Sequence, residues 1–206
     1  MSENTSKKRK LSLPLIVAGG VSSLVLALGM SPTFSAFTAS IANTANSAGA
    51  GTLTMQETTT TGTTVSCNSG LGSADCTTID KFGGNLAMYP GQSSTTGITI
   101  KNTGSVAATT FSLAPSTCTA TDVPAATVHG TGNPCSLMTV NITSGTTSIY
   151  NGTLAGLASG GTIALTGPVA VGASVPFTFV VTLPASADNT MQGRQAAMSL
   201  TWAFGA

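Results

Sequence analysis

Charge is scarce in this sequence. Only 6% of its 206 residues are Asp, Glu, Lys or Arg, against roughly 25% in average proteins. Four of the seven basic residues, Lys7, Lys8, Arg9 and Lys10, stand together near the N-terminus. Downstream, Lys81, Lys101 and Arg194 face Glu57, Asp75, Asp80, Asp122 and Asp188, a net charge of about −2. No basic patch is left to meet phosphates, which argues against nucleic acid or any other polyanion as partner. Histidine is scarcer still. His129 stands alone in Val128-His129-Gly130-Thr131-Gly132 and reads as a solvated loop residue. There is no HExxH, no GxSxG and no CxxC, and the carboxylates are scattered. Zinc hydrolysis needs clustered His or carboxylate ligands, and a Ser-His-Asp triad would have to recruit His129. Asp75 and Asp80 beside Cys76 are too few oxygen ligands for calcium. The expectation is therefore no catalytic residue, no metal and no cofactor.

What the chain does have begins at its N-terminus. The basic cluster precedes an uncharged apolar run from Leu11 to Met30, then a helix-breaking Ser31-Pro32. Small residues follow, with Thr33 and Ser35 at the −3 and −1 positions of a cleavage site and Ala36 as the new N-terminus. This is the anatomy of an export signal over residues 1–35. The run is also long enough to span a bilayer, so a retained anchor is the alternative. Pro14, Gly19-Gly20 and Ser22-Ser23 weaken it as a permanent helix. With the signal removed, the expectation is a secreted chain, extracellular or at the cell surface, with no permanent membrane span.

Cysteine usage fits that compartment. Cys67, Cys76, Cys118 and Cys135 are an even count in an exported chain, which suggests two disulfides. Of the three possible pairings, local closure is chosen, Cys67 with Cys76 and Cys118 with Cys135, because each pair brackets a loop-like stretch.

The remaining signal is alternation. Val175, Phe177, Phe179, Val181 and Leu183 share one face of a strand, and Met198, Leu200, Trp202 and Phe204 share one face of a run over 196–204. Side chains alternate across a strand, so an apolar period of two marks half-buried strands. Phe177, Phe179, Leu200, Trp202 and Phe204 are the expected core. Weaker runs recur at 52–56, 98–101, 111–113, 138–143, 149–154 and 162–166, separated by Pro90-Gly91, Asn151-Gly152, Gly160-Gly161 and Gly167-Pro168. No stretch after the signal has a helical period. Thr58–Gly72, Ser116–Pro134 and Ala185–Arg194 read as irregular. Many short strands with regular turns predict an antiparallel sandwich or barrel in a single domain over 50–206.

Two segments carry a resemblance. Thr33-Phe34-Ser35-Ala36-Phe37-Thr38-Ala39-Ser40, followed by Asn43, Asn46 and Ala50-Gly51-Thr52-Leu53, resembles the start of the TasA/camelysin family. Met88-Tyr89-Pro90-Gly91-Gln92-Ser93 and Ile98-Thr99-Ile100-Lys101-Asn102-Thr103-Gly104-Ser105 resemble that family's L-x-P-G and I-x-V-x-N-x-G-S stretches, and Leu200-Thr201-Trp202 its closing strand. The resemblance covers the first 55 residues and about 88–113. It implies a jelly-roll-like or Ig-like β-sandwich after an N-terminal signal peptide, processed by a dedicated export signal peptidase. It also implies self-assembly into surface or biofilm-matrix filaments by donor-strand exchange. The cysteines and the low charge depart from the family pattern. Some relatives are classed as metallopeptidases, an activity for which this sequence shows no ligand set.

The new N-terminus fits a donor strand on its own terms. Phe37, Ala39 and Ile41 fall on one face and Thr38, Ser40 and Ala42 on the other. An extended segment of this kind pairs with a free sheet edge and seats alternate side chains in pockets. Asn43–Gly49 would be its hinge, giving a donor-and-hinge region over 36–49. Pairing with its own sheet and disorder of the terminus are the alternatives. The leading expectation is a homopolymeric filament subunit. The others are an adhesin-like binding module that uses loops 58–72 and 116–134, and a camelysin-like metalloprotease.

Overall fold

Strand β9 (Ser174–Thr182) organises the fold. Phe177, Phe179 and Val181 on its inner side are almost fully buried, while the alternate residues Pro176 and Thr178 are exposed and Val180 is half-buried. The sequence alternation is thus realised as a sheet with one dry face. The computed structural model describes residues 47–70 and 74–206. The predicted signal peptide, its Ser35–Ala36 cleavage point and the donor residues Phe37, Ala39 and Ile41 lie outside the described residues. Gly49–Ala206 form one unit.

Among the described residues the fold is all-β and antiparallel. On one side of β9 runs β3 (Ser93–Asn102), with Ile98 opposite Phe177 and Ile100 opposite Val175. On the other runs β6 (Thr139–Ser144), with Ile142 opposite Phe179 and Val140 opposite Val181. β1 (Met55–Thr59), β2 (Ser66–Asn68) and β7 (Thr147–Thr153) complete a six-stranded sheet in the order β2-β1-β3-β9-β6-β7. A second sheet has the order β11-β4-β8, formed by β11 (Leu200–Gly205), β4 (Thr110–Pro115) and β8 (Ile163–Leu165). A two-stranded ribbon joins β10 (Arg194–Ala197) to β5 (Thr119–Asp122).

The sheets meet through aromatics, as in a sandwich. Trp202 of β11 lies 4.6 Å from Phe177 and 6.4 Å from Phe179, centroid to centroid, and Phe111 of β4 lies 5.9 Å from Phe177. Trp202 is 9% exposed, and Leu200 and Phe204 are only partly covered at the margin of this core. Each fully buried Phe contributes about 1.5–3 kcal/mol through burial.

Four local features differ from the sequence expectation. The run over 196–204 breaks at Met198-Ser199, where the Ser199 amide donates to Ser116 Oγ and the Ser116 amide to the Ser199 carbonyl. The alternation survives the break because both halves face the core, so periodicity alone does not reveal it. The stretch 116–134, expected to be irregular, contains β5. The stretch 58–72 contains the end of β1 and all of β2. Two short helices also appear, α1 (Pro134–Leu137) and α2 (Leu154–Ser159). Asn133 caps the first and Thr153 the second, through side-chain oxygens that accept from Cys135 N and Gly156 N. Helices this short carry too few residues to show a 3.6-residue period.

Asn102 is a buried polar residue that its turn-like sequence context hides. Its Nδ2 donates to Val106 O and Val169 O, and its Oδ1 accepts from Gly104 N. One side chain thus satisfies three backbone groups where β3 leaves the sheet.

Candidate functional site

The closing strand of the chain leaves one side unpaired. β11 pairs with β4 and, among the described residues, has no strand on its other side. Ser116 and Ser199 exchange a backbone bond, so opposite pairs alternate from there along the ladder. Leu200, Trp202 and Phe204 therefore turn their N–H and C=O groups outward, and Pro115 can sit opposite Leu200 without losing a ladder bond.

Beside this edge lies a groove of about 1440 Å³. One wall is Met198–Phe204. The other is formed by Leu53, Met55, Glu57 and Cys67 of the β1–β2 region together with the segment 74–90. Val181, Leu183, Met138 and Leu154 reach it from the core side. The volume exceeds the roughly 300–1,000 Å³ of small-molecule pockets. A row of outward backbone groups beside a long groove that contains apolar side chains suits an extended peptide.

Segment 74–90 has no regular structure. It is held by the Cys67–Cys76 disulfide, by Ile79 and Phe82 packed against the core, and by an ion pair. Lys81 Nζ lies 2.8 Å from Glu57 Oε1, with side chains only 10% and 9% exposed. The same oxygen accepts from Trp202 Nε1 at 3.4 Å. Glu57 thus links both walls of the groove. Sequence reasoning counts Glu57 among scattered carboxylates. The available signal is parity, because Glu57 follows Leu53 and Met55 at every second position into β1.

The second disulfide, Cys118–Cys135, ties the approach to β5 to α1. Both bridges are local, and both fit an oxidising compartment. His129 lies in the loop that follows β5, with Nδ1 3.3 Å from Gly193 O and 3.9 Å from Asp122. Asp122 pairs with Arg194, whose Nε donates to Gly132 O. Among the described residues no group of three His, Cys, Asp or Glu is placed to hold a metal ion, and no helix is long and apolar enough to cross a membrane.

Compared with known proteins, the chain matches no family model and no curated protein.

Proposed function

We propose that this chain is an exported structural subunit of an extracellular surface or biofilm-matrix filament, assembled by strand complementation between identical copies. The observation that carries this reading is the outward backbone edge of β11 beside a groove of mixed apolar and polar lining. Cleavage between Ser35 and Ala36 by an export signal peptidase would free a short strand whose Phe37, Ala39 and Ile41 share one face. Its backbone would pair with β11, and those three side chains would enter the groove of a second copy. The contact is head-to-tail and heterologous, so it propagates into a filament. The arrangement is consistent with a sandwich of jelly-roll or Ig-like type that one added strand would extend. A surface with few charges permits close association of copies.

The test is electron microscopy of purified protein beginning at Ala36, beside a version lacking residues 36–48. Long filaments with a regular subunit repeat are expected from the first, and monomers from the second. Filaments from the truncated protein would remove the donor strand from the mechanism. Monomers from both would transfer the role to an adhesin-like binding surface.

A further inference from the structure

Residues 86–90 read Leu-Ala-Met-Tyr-Pro, five apolar residues in a row on the outer part of the groove wall. Leu86 is 57% exposed and Tyr89 65% exposed, and Ala87 and Pro90 are exposed as well. Met88 between them is half-buried, so the exposed residues form two pairs, and a large exposed Leu and Tyr this close together are unfavourable on a free surface unless something covers them. Turn chemistry accounts for part of the run. Gln92 N donates to Tyr89 O, Pro90 supplies a fixed φ, and Gly91 sits at φ 86°. It accounts for neither the Leu86 nor the Tyr89 side chain, because Leu86 lies outside the turn Tyr89–Gln92 and the first position of such a turn accepts polar residues.

We propose that this segment is a second docking contact between subunits, covered by the body of the neighbouring copy. The inference rests on the strand-exchange reading and adds a surface to it. Leu86, Ala87, Met88 and Pro90 line the groove, and Tyr89 lies outside that lining. A strand laid in the groove reaches the first four and leaves Tyr89 open. The hinge Asn43–Gly49 spans at most about 25 Å when fully extended. The body that follows it is therefore held within about one to two domain radii of the groove. A second copy of this chain is thus delivered to this rim by the covalent geometry of the donor, at high effective concentration. Few charges stand near the run to repel it: Asp80 and Lys81 precede it, and Lys81 is engaged by Glu57.

The experiment compares the critical concentration for polymerisation, by sedimentation and electron microscopy, of the chain beginning at Ala36 and its Tyr89→Ser variant, which leaves the groove lining intact. The Tyr89 side chain is exposed, so the thermal melt is expected to be unchanged. A Tyr89→Lys variant provides a second measurement if the first is poorly folded. Covering a tyrosine is worth roughly tenfold or more in association. The expected result is a critical concentration raised at least about tenfold, with filaments of unchanged repeat above it. An unchanged critical concentration overturns the second contact and leaves strand exchange standing. Filaments that persist without residues 36–48 but disappear on Tyr89 substitution overturn strand exchange and leave this contact standing. A parent chain that stays monomeric overturns both.

Discussion

The two sheets of this protein end differently. Three of their edges carry features that discourage further pairing. β2 and β8 are three residues long, and β7 pairs with β6 across a register shift at Ile142/Thr143 and runs directly into α2. Short strands and bulges are common means of blunting an edge. β11 has neither. It is six residues long, registers regularly with β4 from Leu200 to Gly205, and carries no charged residue. Among the described residues, β11 is thus the long and regular edge of these two sheets, and on the strand-exchange reading it is where a second copy would pair.

The largest effect that would sharpen this contrast lies in the polar bridge across the groove. Replacing Glu57 with Ala leaves the Lys81 ammonium nearly buried without its partner. Removing one member of a buried pair costs about 3–5 kcal/mol. Chemical denaturation of Glu57→Ala should show that loss. Glu57→Leu combined with Lys81→Met should recover most of it, since an apolar pair of similar volume needs no desolvation. If the single variant is as stable as the parent, the bridge does not hold the groove walls.

Next come the two disulfides, which are similar in size and unlike in position. Their sequence separations of 9 and 17 residues correspond to about 3 kcal/mol each by loop-closure entropy. Cys67→Ser/Cys76→Ser and Cys118→Ser/Cys135→Ser should therefore lower stability by comparable amounts. Assembly should separate them, because Cys67 and Cys76 line the groove and Cys118 and Cys135 do not. The first variant should polymerise less well than the second at matched stability. Equal polymerisation would mean that segment 74–90 keeps its place without its covalent anchor.

These comparisons mark where the sequence is legible. Phe177, Phe179 and Trp202 announce their burial because alternation is local and one strand suffices to display it. The disulfides follow from the nearness of each pair along the chain. The groove follows from neither. It depends on which strand ends a sheet, and strand order is a non-local property with no period in the sequence. Glu57 sits at an inward position by parity, yet the cation that makes burial tolerable comes from Lys81, 24 residues later in an aperiodic segment. The break between β10 and β11 is hidden for a related reason. Both pieces present their apolar side chains to the same core, so the pattern runs on while the pairing partner changes from β5 to β4.

The smallest effect concerns the far rim of the groove. Asp188 caps the 3₁₀ turn Asn189–Met191, and its Oδ1 accepts from Thr190 Oγ1 at 2.6 Å and from Thr190 N at 2.9 Å. The hydroxyl bond first, and the amide bond after it, hold this exposed carboxyl below its ordinary pKa of 3.8. A depressed folded-state pKa means that the unfolded chain takes up the proton first as the solution is acidified. The contribution to stability is therefore complete above the ordinary value, and is lost as pH falls through the lower folded-state value. Asp188→Asn keeps an N-cap acceptor and removes the titration. The variant should melt with the parent at neutral pH and show a shallower loss of Tm below about pH 4. Because the cap touches only this rim, the acid shift should be small beside the loss expected for Glu57→Ala. A Tm profile identical to the parent's in acid would mean that the turn holds through its backbone alone.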